Sequence, residues 1–232
     1  YIAYDYDPAP EATFHISAAA EGFGNLSTWT TWNNKPIALK IYLVAPPANG
    51  TYVCTTGLLH AGSDASEAFT VIDGVVTDGT DCSGSVVIPD GVREIGVEAF
   101  AGASLTSISI PSSVTSIEDY AFQSAEDLQT VSFGQGSQLE EIGFAAFNNA
   151  FSLTSITIPA SVTSIGEWAF ANATKLASVY FLGNAPTSVG NMPFLNVADG
   201  AKAIVRAADT SYLVDADNKW NGLIFELDYT LT

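Results

Sequence analysis

Only two histidines are present, and each is a candidate for acid–base or nucleophilic chemistry. His15 lies in residues 13–17, whose alternating pattern predicts a strand. His60 precedes Ser63 and Asp64, and these three residue types make up a hydrolase triad. Residues so close in sequence cannot adopt the three-way geometry that a triad needs, and the chain has no Gly-x-Ser-x-Gly turn. We therefore expect no catalytic residue and no enzymatic activity.

Carboxylate pairs offer a second kind of chemistry, because two facing carboxylates can act as general acid and general base. The pairs fall in loops and corners, where we expect no cleft: Glu118-Asp119, Glu126-Asp127 and Glu140-Glu141. An EF-hand-like spacing begins at Asp215, but Lys219 and Trp220 stand where a ligand and a glycine are required. We expect no bound metal and no cofactor, with loose calcium binding by the acidic loop 78–81 as a minor alternative.

Composition and charge exclude several classes of function. The chain has 232 residues, 47% of them hydrophobic, which suffices for a full core in one large domain or two moderate ones. The 7 Lys and Arg stand against 25 Asp and Glu, and the formal net charge of −18 would repel nucleic acid and anionic lipid. No apolar run approaches the roughly 20 residues that a membrane-spanning helix needs. With 22 Ser and 21 Thr, the surface is expected to be built from hydroxyls, as in many secreted proteins.

Cysteines and sequons also favour an extracellular location. Cys54 and Cys82 enclose 27 residues and lack the spacing of a metal or redox motif, so they form either a disulfide or two buried thiols. Three sequons allow glycosylation, at Asn25, Asn49 and Asn172. The chain begins at Tyr1 without a Met or a basic and apolar leader, and we expect a secreted, cell-surface chain that has lost a signal peptide.

A repeat of 22–25 residues determines the predicted architecture. The segment Leu-Thr-Ser-Ile-Ser-Ile-Pro at Leu105 returns as Leu-Thr-Ser-Ile-Thr-Ile-Pro at Leu153, with weaker copies between and after. One phenylalanine recurs in each repeat, which we call a coil: Phe100, Phe122, Phe147, Phe170 and Phe194. One coil cannot bury its own apolar face, whereas stacked coils share a continuous core. We predict a mainly β solenoid of about five coils, with the phenylalanine rings stacked along its axis.

Each coil is predicted to consist of two strands and a tight segment that leads back to the next coil, which we call the return. Ile108 and Ile110 have strand spacing, and Pro111 ends that strand because proline lacks the N–H that a ladder needs. Val114 and Ile117 predict a second, short strand. The Ala-Phe pair that follows is expected to form a partly helical return.

The outward positions of the longer strands align as two columns of hydroxyl-bearing residues: Ser107, Thr130, Ser155 and Ser178, and Ser109, Ser132, Thr157 and Tyr180. Uncharged strands suit broad protein contact because little must be desolvated without a partner. Ser and Thr columns also simply favour soluble strands. Ice binding is a minor alternative, since residues 134–138 lengthen the third coil and break the regularity. Tyr120 and Trp168 occupy equivalent positions two coils apart, where they are either exposed or packed on adjacent coils.

These recurring columns resemble the BspA-like leucine-rich repeats of bacterial surface proteins, whose coils read roughly L-x-x-I-x-I-P-x-x-V-x-x-I-G-x-x-A-F-x-x-C. The resemblance covers about residues 84–206. Where family members often carry cysteine after the Ala-Phe pair, this chain has alanine: Ala103, Ala125, Ala150 and Ala173. The resemblance implies a leucine-rich-repeat solenoid that mediates adhesion to a host or neighbouring-cell protein.

The segments on either side do not follow the repeat. Residues 1–68 are expected to form a small, sandwich-like β domain. Asp73-Gly74, between two β-prone runs, predicts a capping hairpin within residues 69–83. Residues 207–232 are expected to form the C-terminal cap, with Trp220 as a lid on the core.

The extreme N-terminus suggests an alternative function. Tyr1, Ile2, Tyr4 and Tyr6 belong to an extended segment in which the last three share a face. This strand either pairs within its own sheet, adds to the sheet of a neighbouring subunit, or is a disordered tail. Strand addition would make the chain the subunit of an extracellular filament, with copies of itself as partners.

Overall fold

The computed structural model describes residues 47–59, 67–206 and 211–230, together with the backbone of four short strands before them. The chain divides into two compact units, Tyr1–Ala45 and Pro46–Thr232. The first unit contains two antiparallel pairs of strands, β1 (Ile2–Tyr4) with β2 (Phe14–Ile16) and β3 (Thr31–Trp32) with β4 (Lys35–Pro36). The strand predicted at residues 13–17 is therefore present.

The segment that follows the first unit belongs to the repeat domain, so the boundary lies near residue 45 and not at the predicted residue 68. β5 (Gly50–Val53) pairs antiparallel with β6 (Ala68–Ile72) along its whole length. Cys54, directly after β5, forms a disulfide with Cys82. The sequence pattern missed this because alternation identifies a strand but not the sheet that the strand joins.

β6 continues into the predicted capping hairpin. It pairs antiparallel with β7 (Val75–Asp78), and the two turn residues, Asp73 and Gly74, have φ angles of 51° and 80°. Positive φ at both central residues is the type I′ geometry that Asp-Gly favours. The hairpin prediction is confirmed.

Each of the five coils that carry the recurring phenylalanine supplies one strand to each of two faces. The longer strands follow one another along one face: β8 (Ser83–Val87), β10 (Ser104–Ile110), β12 (Thr130–Phe133), β14 (Ser155–Ile158), β16 (Ser178–Phe181), β18 (Lys202–Arg206) and β20 (Leu223–Asp228). Two-residue strands line the other face: β9 (Glu94–Ile95), β11 (Ser116–Ile117), β13 (Glu141–Ile142), β15 (Ser164–Ile165) and β17 (Ser188–Val189). These short strands join β5, β6 and β7 in one continuous eight-stranded sheet. A final hairpin of β19 (Lys219–Trp220) with β20 closes the C-terminal end.

Successive coils stack in parallel register, as the repeat predicts. Ile108 pairs with Val131 on one face, and Ile117 pairs with Ile142 on the other. The longer strand occurs in seven turns, so the solenoid exceeds the predicted five coils. The two extra turns, at β18 and β20, keep the strand although they lack the phenylalanine that marks the repeat.

The return of each coil is a pair of tight turns, and the prediction of a partly helical return was wrong. The described residues contain no helix, and so none that could cross a membrane. Two residues per return have left-handed backbone angles, for example Trp168 (φ 57°) and Asn172 (φ 60°) in the fourth coil. Left-handed residues interrupt a right-handed helix after a single turn.

A column of phenylalanine rings occupies the centre of the core. Adjacent rings from Phe100 to Phe194 are 4.9–5.4 Å apart between centroids, and their planes lie within 8° of parallel. Phe69 of the N-terminal cap extends the column, 6.2 Å from Phe100. Trp220 covers the other end, 6.3 Å from Phe194 and 5% exposed. The predicted stack and the predicted lid are confirmed.

Candidate protein-binding surface

The longer strands carry the hydroxyl face, which we define by the eight aligned residues: Ser107, Ser109, Thr130, Ser132, Ser155, Thr157, Ser178 and Tyr180. Within each half of the face the register is the predicted one, since β10 pairs with β12 and β14 pairs with β16 residue for residue. Five of the eight side chains are exposed, and Ser107, Ser178 and Tyr180 are half-buried. Strand alternation explains this exposure, because the isoleucines and valines between these residues point into the core.

Hydrogen bonds connect the hydroxyl face along the solenoid axis. The hydroxyl oxygens of Ser85 and Ser107 lie 2.8 Å apart, and the Ser132 hydroxyl donates to the carbonyl of Ile108 at 3.2 Å. Within this row of longer strands, charged residues occur only in the last two turns, β18 and β20, where Lys202 and Glu226 form an ion pair with 2.6 Å between Nζ and Oε2. The eight defining residues are therefore a neutral, hydroxyl-lined surface.

A break divides the hydroxyl face between β12 and β14. β12 is the edge of a three-stranded sheet and β14 is the edge of a five-stranded sheet, whereas the short strands of the same coils pair without interruption. The loop 134–138 explains the break, because it makes the third coil longer than its neighbours. The aligned columns predict that Thr130 neighbours Ser155 and that Ser132 neighbours Thr157. In the structure, β12 and β14 belong to different sheets, so these two pairs of residues are not strand partners.

A groove of about 520 Å³ lies at this break. Val131 and Phe133 of β12 line it on one side, and Pro159 and Leu182 line it on the other. Val131 and Phe133 are half-buried, although the isoleucines at the same positions in the neighbouring coils are buried. The break therefore exposes apolar surface that the regular repeat covers.

The candidate catalytic residues do not form a site in the described part of the chain. The backbone of His15 pairs with Ala3 in the sheet of β1 and β2. His60, Ser63 and Asp64 lie outside the described residues. Among the described residues, no group of three His, Cys, Asp or Glu side chains could hold a metal ion.

The acidic loops considered for calcium use their carboxylates to cap turns. Oδ1 of Asp215 accepts hydrogen bonds from the backbone N–H groups of Asp217 and Lys219, at 3.0 and 2.8 Å. Oδ1 of Asp78 accepts from the backbone N–H and the hydroxyl of Thr80, at 3.2 and 2.9 Å. Such local bonds are the usual role of aspartate in turns.

The sequon at Asn172 lies in an asparagine ladder that sequence reasoning missed. Nδ2 of Asn196 donates to Oδ1 of Asn172 at 2.9 Å, and Nδ2 of Asn172 donates to Oδ1 of Asn149 at 3.1 Å. Nδ2 of Asn149 in turn donates to the Ser124 hydroxyl at 3.3 Å. The recurrence of asparagine at intervals of 23 and 24 residues could have revealed this ladder. Asn172 is half-buried, so a glycan on its Nδ2 would have to fit between coils.

The other two sequons differ in their surroundings. Asn49 is exposed, and its side chain exchanges two hydrogen bonds with Asp73, accepting from the backbone N–H at 2.6 Å and donating to Oδ1 at 3.0 Å. Asn25 lies outside the described residues. Glycosylation at these sequons stays a prediction.

Asn172→Ala is expected to lower the free energy of unfolding by about 1–3 kcal/mol. The variant loses both ladder bonds and forces alanine into a left-handed conformation, with φ at 60°. Asn172→Gly is the matched control, because it loses the same bonds but adopts positive φ without strain. Thermal unfolding should rank wild type, glycine and alanine in that order of decreasing stability. A glycine variant as unstable as the alanine variant would contradict a contribution from the backbone angle.

The candidate assembly strand is only partly described. Ile2 and Tyr4 lie in β1, where their backbones pair with Ile16 and Phe14 of the same chain. Tyr1 and Tyr6 lie outside the described residues. Addition of this strand to a neighbouring subunit stays a prediction.

Solved structures of bacterial leucine-rich repeat proteins are similar to this chain. The leucine-rich repeat protein TpLRR of T. pallidum is 28% identical, with a TM-score of 0.51 over 70% of this chain and 71% of that one. A leucine-rich repeat protein from Bacteroides capillosus is also 28% identical, with a TM-score of 0.43 over 52% of this chain and 96% of that one. A leucine rich cell surface protein from Faecalibacterium prausnitzii is 20% identical, with a TM-score of 0.39 over 68% of this chain and 57% of that one. No match was found among curated proteins.

The repeat domain also matches a family model. The model describes a BspA type leucine-rich repeat region, and it matches six copies of the repeat over residues 79–199. This match covers 121 of the 232 residues and coincides with the stacked coils of the solenoid. The chain therefore belongs to the family of BspA-type leucine-rich repeat proteins.

Proposed function

We propose that this protein is a non-enzymatic, extracellular adhesion protein that contacts a partner protein through its hydroxyl face. The observation that carries the proposal is the neutral face itself, on which five exposed hydroxyl side chains stand at strand spacing with no charged residue among the eight. A partner that covers this face buries hydroxyls, and each buried hydroxyl needs a hydrogen-bond partner. The surface therefore suits a protein strand or loop that offers backbone and side-chain polar groups.

The disulfide and the family of the repeat both support an extracellular location. A leucine-rich solenoid of the BspA type is typical of bacterial surface proteins. The disulfide between Cys54 and Cys82 favours an oxidising environment, because cytosolic thiols are kept reduced. A partner on a host or neighbouring cell would be accessible from this location.

Ser109→Lys combined with Thr157→Lys is expected to weaken binding to partner cells at least tenfold. Both side chains are exposed on the hydroxyl face, so two lysines would have to be desolvated without a counter-charge when the partner binds. A loss of about 1.4 kcal/mol already gives a tenfold change in affinity. Binding of the fluorescently labelled chain to host or neighbouring cells, measured by flow cytometry, gives the affinity.

Thr77→Lys combined with Ser188→Lys is the matched control, since both side chains are exposed and lie on β7 and β17, in the sheet of short strands. This control adds the same charge and should bind like the wild type. Circular dichroism checks that both variants fold. Undiminished binding by the Ser109 and Thr157 variant would move the contact away from the hydroxyl face.

A further inference from the structure

A stripe of partly exposed apolar side chains crosses five successive coils, at the bend after the short strands. We call it the aromatic stripe and define it as Val97, Tyr120, Phe144, Trp168 and Met192. Val97, Trp168 and Met192 are 58%, 40% and 53% exposed, while Tyr120 and Phe144 are half-buried. Single exposed apolar residues are common, but a contiguous row is the mark of an interaction surface.

Ring contacts join the three aromatic residues of the stripe, and a backbone hydrogen bond joins Trp168 to the next bend. The ring centroids of Tyr120 and Phe144 lie 5.1 Å apart, and those of Phe144 and Trp168 lie 5.5 Å apart. The rings are inclined to one another by 74° and 49°, so edges and faces of the rings alternate along the row. The backbone N–H of Trp168 donates to the carbonyl of Asn191 at 3.2 Å, which places Met192 in the next bend.

The fold does not require large side chains at these bends. Tyr120, Trp168 and Met192 have φ angles of 59°, 57° and 49°, in the left-handed region that is unfavourable for bulky residues. The second left-handed position of the same returns is occupied by asparagine in three coils, which is the easier choice for this backbone. Large side chains kept on a left-handed backbone, at positions that are at least partly exposed, point to a role at the surface.

Carboxylates that form no salt bridge among the described residues occupy the same bends. Glu98, Asp119 and Glu167 each adjoin a residue of the stripe or of its bend, and Lys175 is the only basic residue between positions 97 and 192. Oδ1 of Asp119 accepts a hydrogen bond from the backbone N–H of Phe144 at 2.7 Å, which holds this carboxylate beside the stripe. Within the described part of the chain, the only salt bridge is that of Lys202 and Glu226, so these carboxylates keep their charge uncompensated.

The carboxyl of Glu94, on the neighbouring short strand β9, responds to burial and to nearby charge. Burial raises the pKa of the Glu94 carboxyl, and the charge of Glu118 raises it further, while Arg93 lowers it. Glu118 belongs to the same bend as Asp119 and Tyr120. After burial, the charge of Glu118 is therefore the second cause that disfavours ionisation of the Glu94 carboxyl.

We propose that the aromatic stripe is a docking surface for a basic, amphipathic polypeptide segment in extended conformation. Aromatic ring faces and carboxylates both attract guanidinium and ammonium groups, so lysines or arginines of the partner meet complementary groups along the whole row. Apolar side chains of the partner cover Val97 and Met192. A second copy of this chain is a poor occupant, because each copy has a net charge of −18.

The length of the stripe sets the length of the segment. Five coils spaced about 4.8 Å apart span about 19 Å, which corresponds to roughly six residues of extended chain. This surface lies in the returns after the short strands, whereas the hydroxyl face lies on the longer strands. The proposal is therefore independent of the proposed adhesion through the hydroxyl face.

The test measures binding of the full chain to a fluorescein-labelled octapeptide of alternating arginine and leucine, by fluorescence anisotropy in 50 mM NaCl. Tyr120→Asn combined with Trp168→Asn is expected to weaken binding at least tenfold. Asparagine tolerates the left-handed backbone, so this variant should keep its fold, which circular dichroism checks. An octapeptide of alternating arginine and serine should bind at least tenfold more weakly than the leucine peptide.

A pair of charge variants separates docking at the stripe from general attraction. Glu98→Gln with Glu167→Gln and Glu126→Gln with Asp127→Asn remove the same charge, but only the first pair adjoins the stripe. We expect about tenfold weaker binding for the first pair and less than a twofold change for the second. These substitutions do not change the core, so they test whether the peptide binds at the stripe even if the ring variant unfolds.

Three results would overturn the proposal. Equal weakening by the two charge pairs would show that the net charge alone attracts the peptide. Unchanged binding after loss of both rings would place the peptide elsewhere. In the third result, the wild type self-associates in sedimentation, the ring variant does not, and the peptide fails to bind. This result would assign the stripe to a second copy of the chain.

Discussion

Replacing Phe147 by alanine is expected to lower the free energy of unfolding by about 3–5 kcal/mol. The Phe147 side chain is 0% exposed, and the rings of Phe122 and Phe170 flank it at centroid distances of 4.9 and 5.1 Å. The neighbouring coils cannot collapse into the cavity, because strand hydrogen bonds hold them about 4.8 Å apart. Urea unfolding followed by circular dichroism measures the loss.

Phe144→Ala is the matched control for this variant. Phe144 is the same residue type in the same coil, but its side chain is half-buried. Its replacement is expected to cost about 1 kcal/mol or less, as is usual near the surface. The Phe147 variant should also broaden the transition, since each coil is stabilised mainly by its neighbours. Equal losses for the two variants would contradict the central role of the phenylalanine column.

The recurrence of apolar residues predicted the solenoid because the residues of one column occupy the same buried position in each coil. Phe100 and Phe122 occupy equivalent positions, and their rings stack 5.3 Å apart because the coils that carry them stack in register. A single strand gives no such constraint. Residues 51–54 were therefore expected in the small N-terminal β domain, whereas β5 pairs with β6 in the second compact unit.

The break in the hydroxyl face shows where column alignment fails. The loop 134–138 was recognised as an insertion, and the outward residues on either side of it were still aligned. An insertion at a corner changes the position of the strand that precedes it. Residues that align in the sequence repeat therefore need not be hydrogen-bonded partners in the sheet. The sheet of short strands tolerates the same insertion because β13 begins after it, at Glu141.

The aromatic stripe was only half visible in the sequence. Tyr120 and Trp168 stand in one column, but the third coil places its ring one residue earlier, at Phe144. Their left-handed backbones could not be inferred from residue type, since tyrosine and tryptophan are unfavourable there. The row becomes apparent only in the structure, where the ring of Phe144 contacts the rings of Tyr120 and Trp168.

Removing the disulfide between Cys54 and Cys82 is expected to cost about 3–4 kcal/mol in the chain-entropy model, for residues that are 28 positions apart. Both cysteines are buried, at 0% and 1% exposure. The disulfide holds β5 to the first coil, where the backbone N–H of Val87 also donates to the carbonyl of Cys54 at 2.8 Å. Without the covalent link, the cap that contains Phe69 can open and expose the end of the phenylalanine column.

Two measurements separate the disulfide from the packing of its sulfur atoms. Reduction of the wild type by a phosphine should lower the midpoint of urea unfolding, and the same reductant should leave Cys54→Ala with Cys82→Ala unchanged. The reduced wild type keeps the buried thiols, so any further loss in the alanine variant reports packing. Limited proteolysis should then begin within residues 47–59, because these residues lose their covalent anchor while the later coils keep their neighbours. A wild type that reductant does not destabilise would contradict the stabilising role of the disulfide, and the cap would then be held by its backbone hydrogen bonds and its packing.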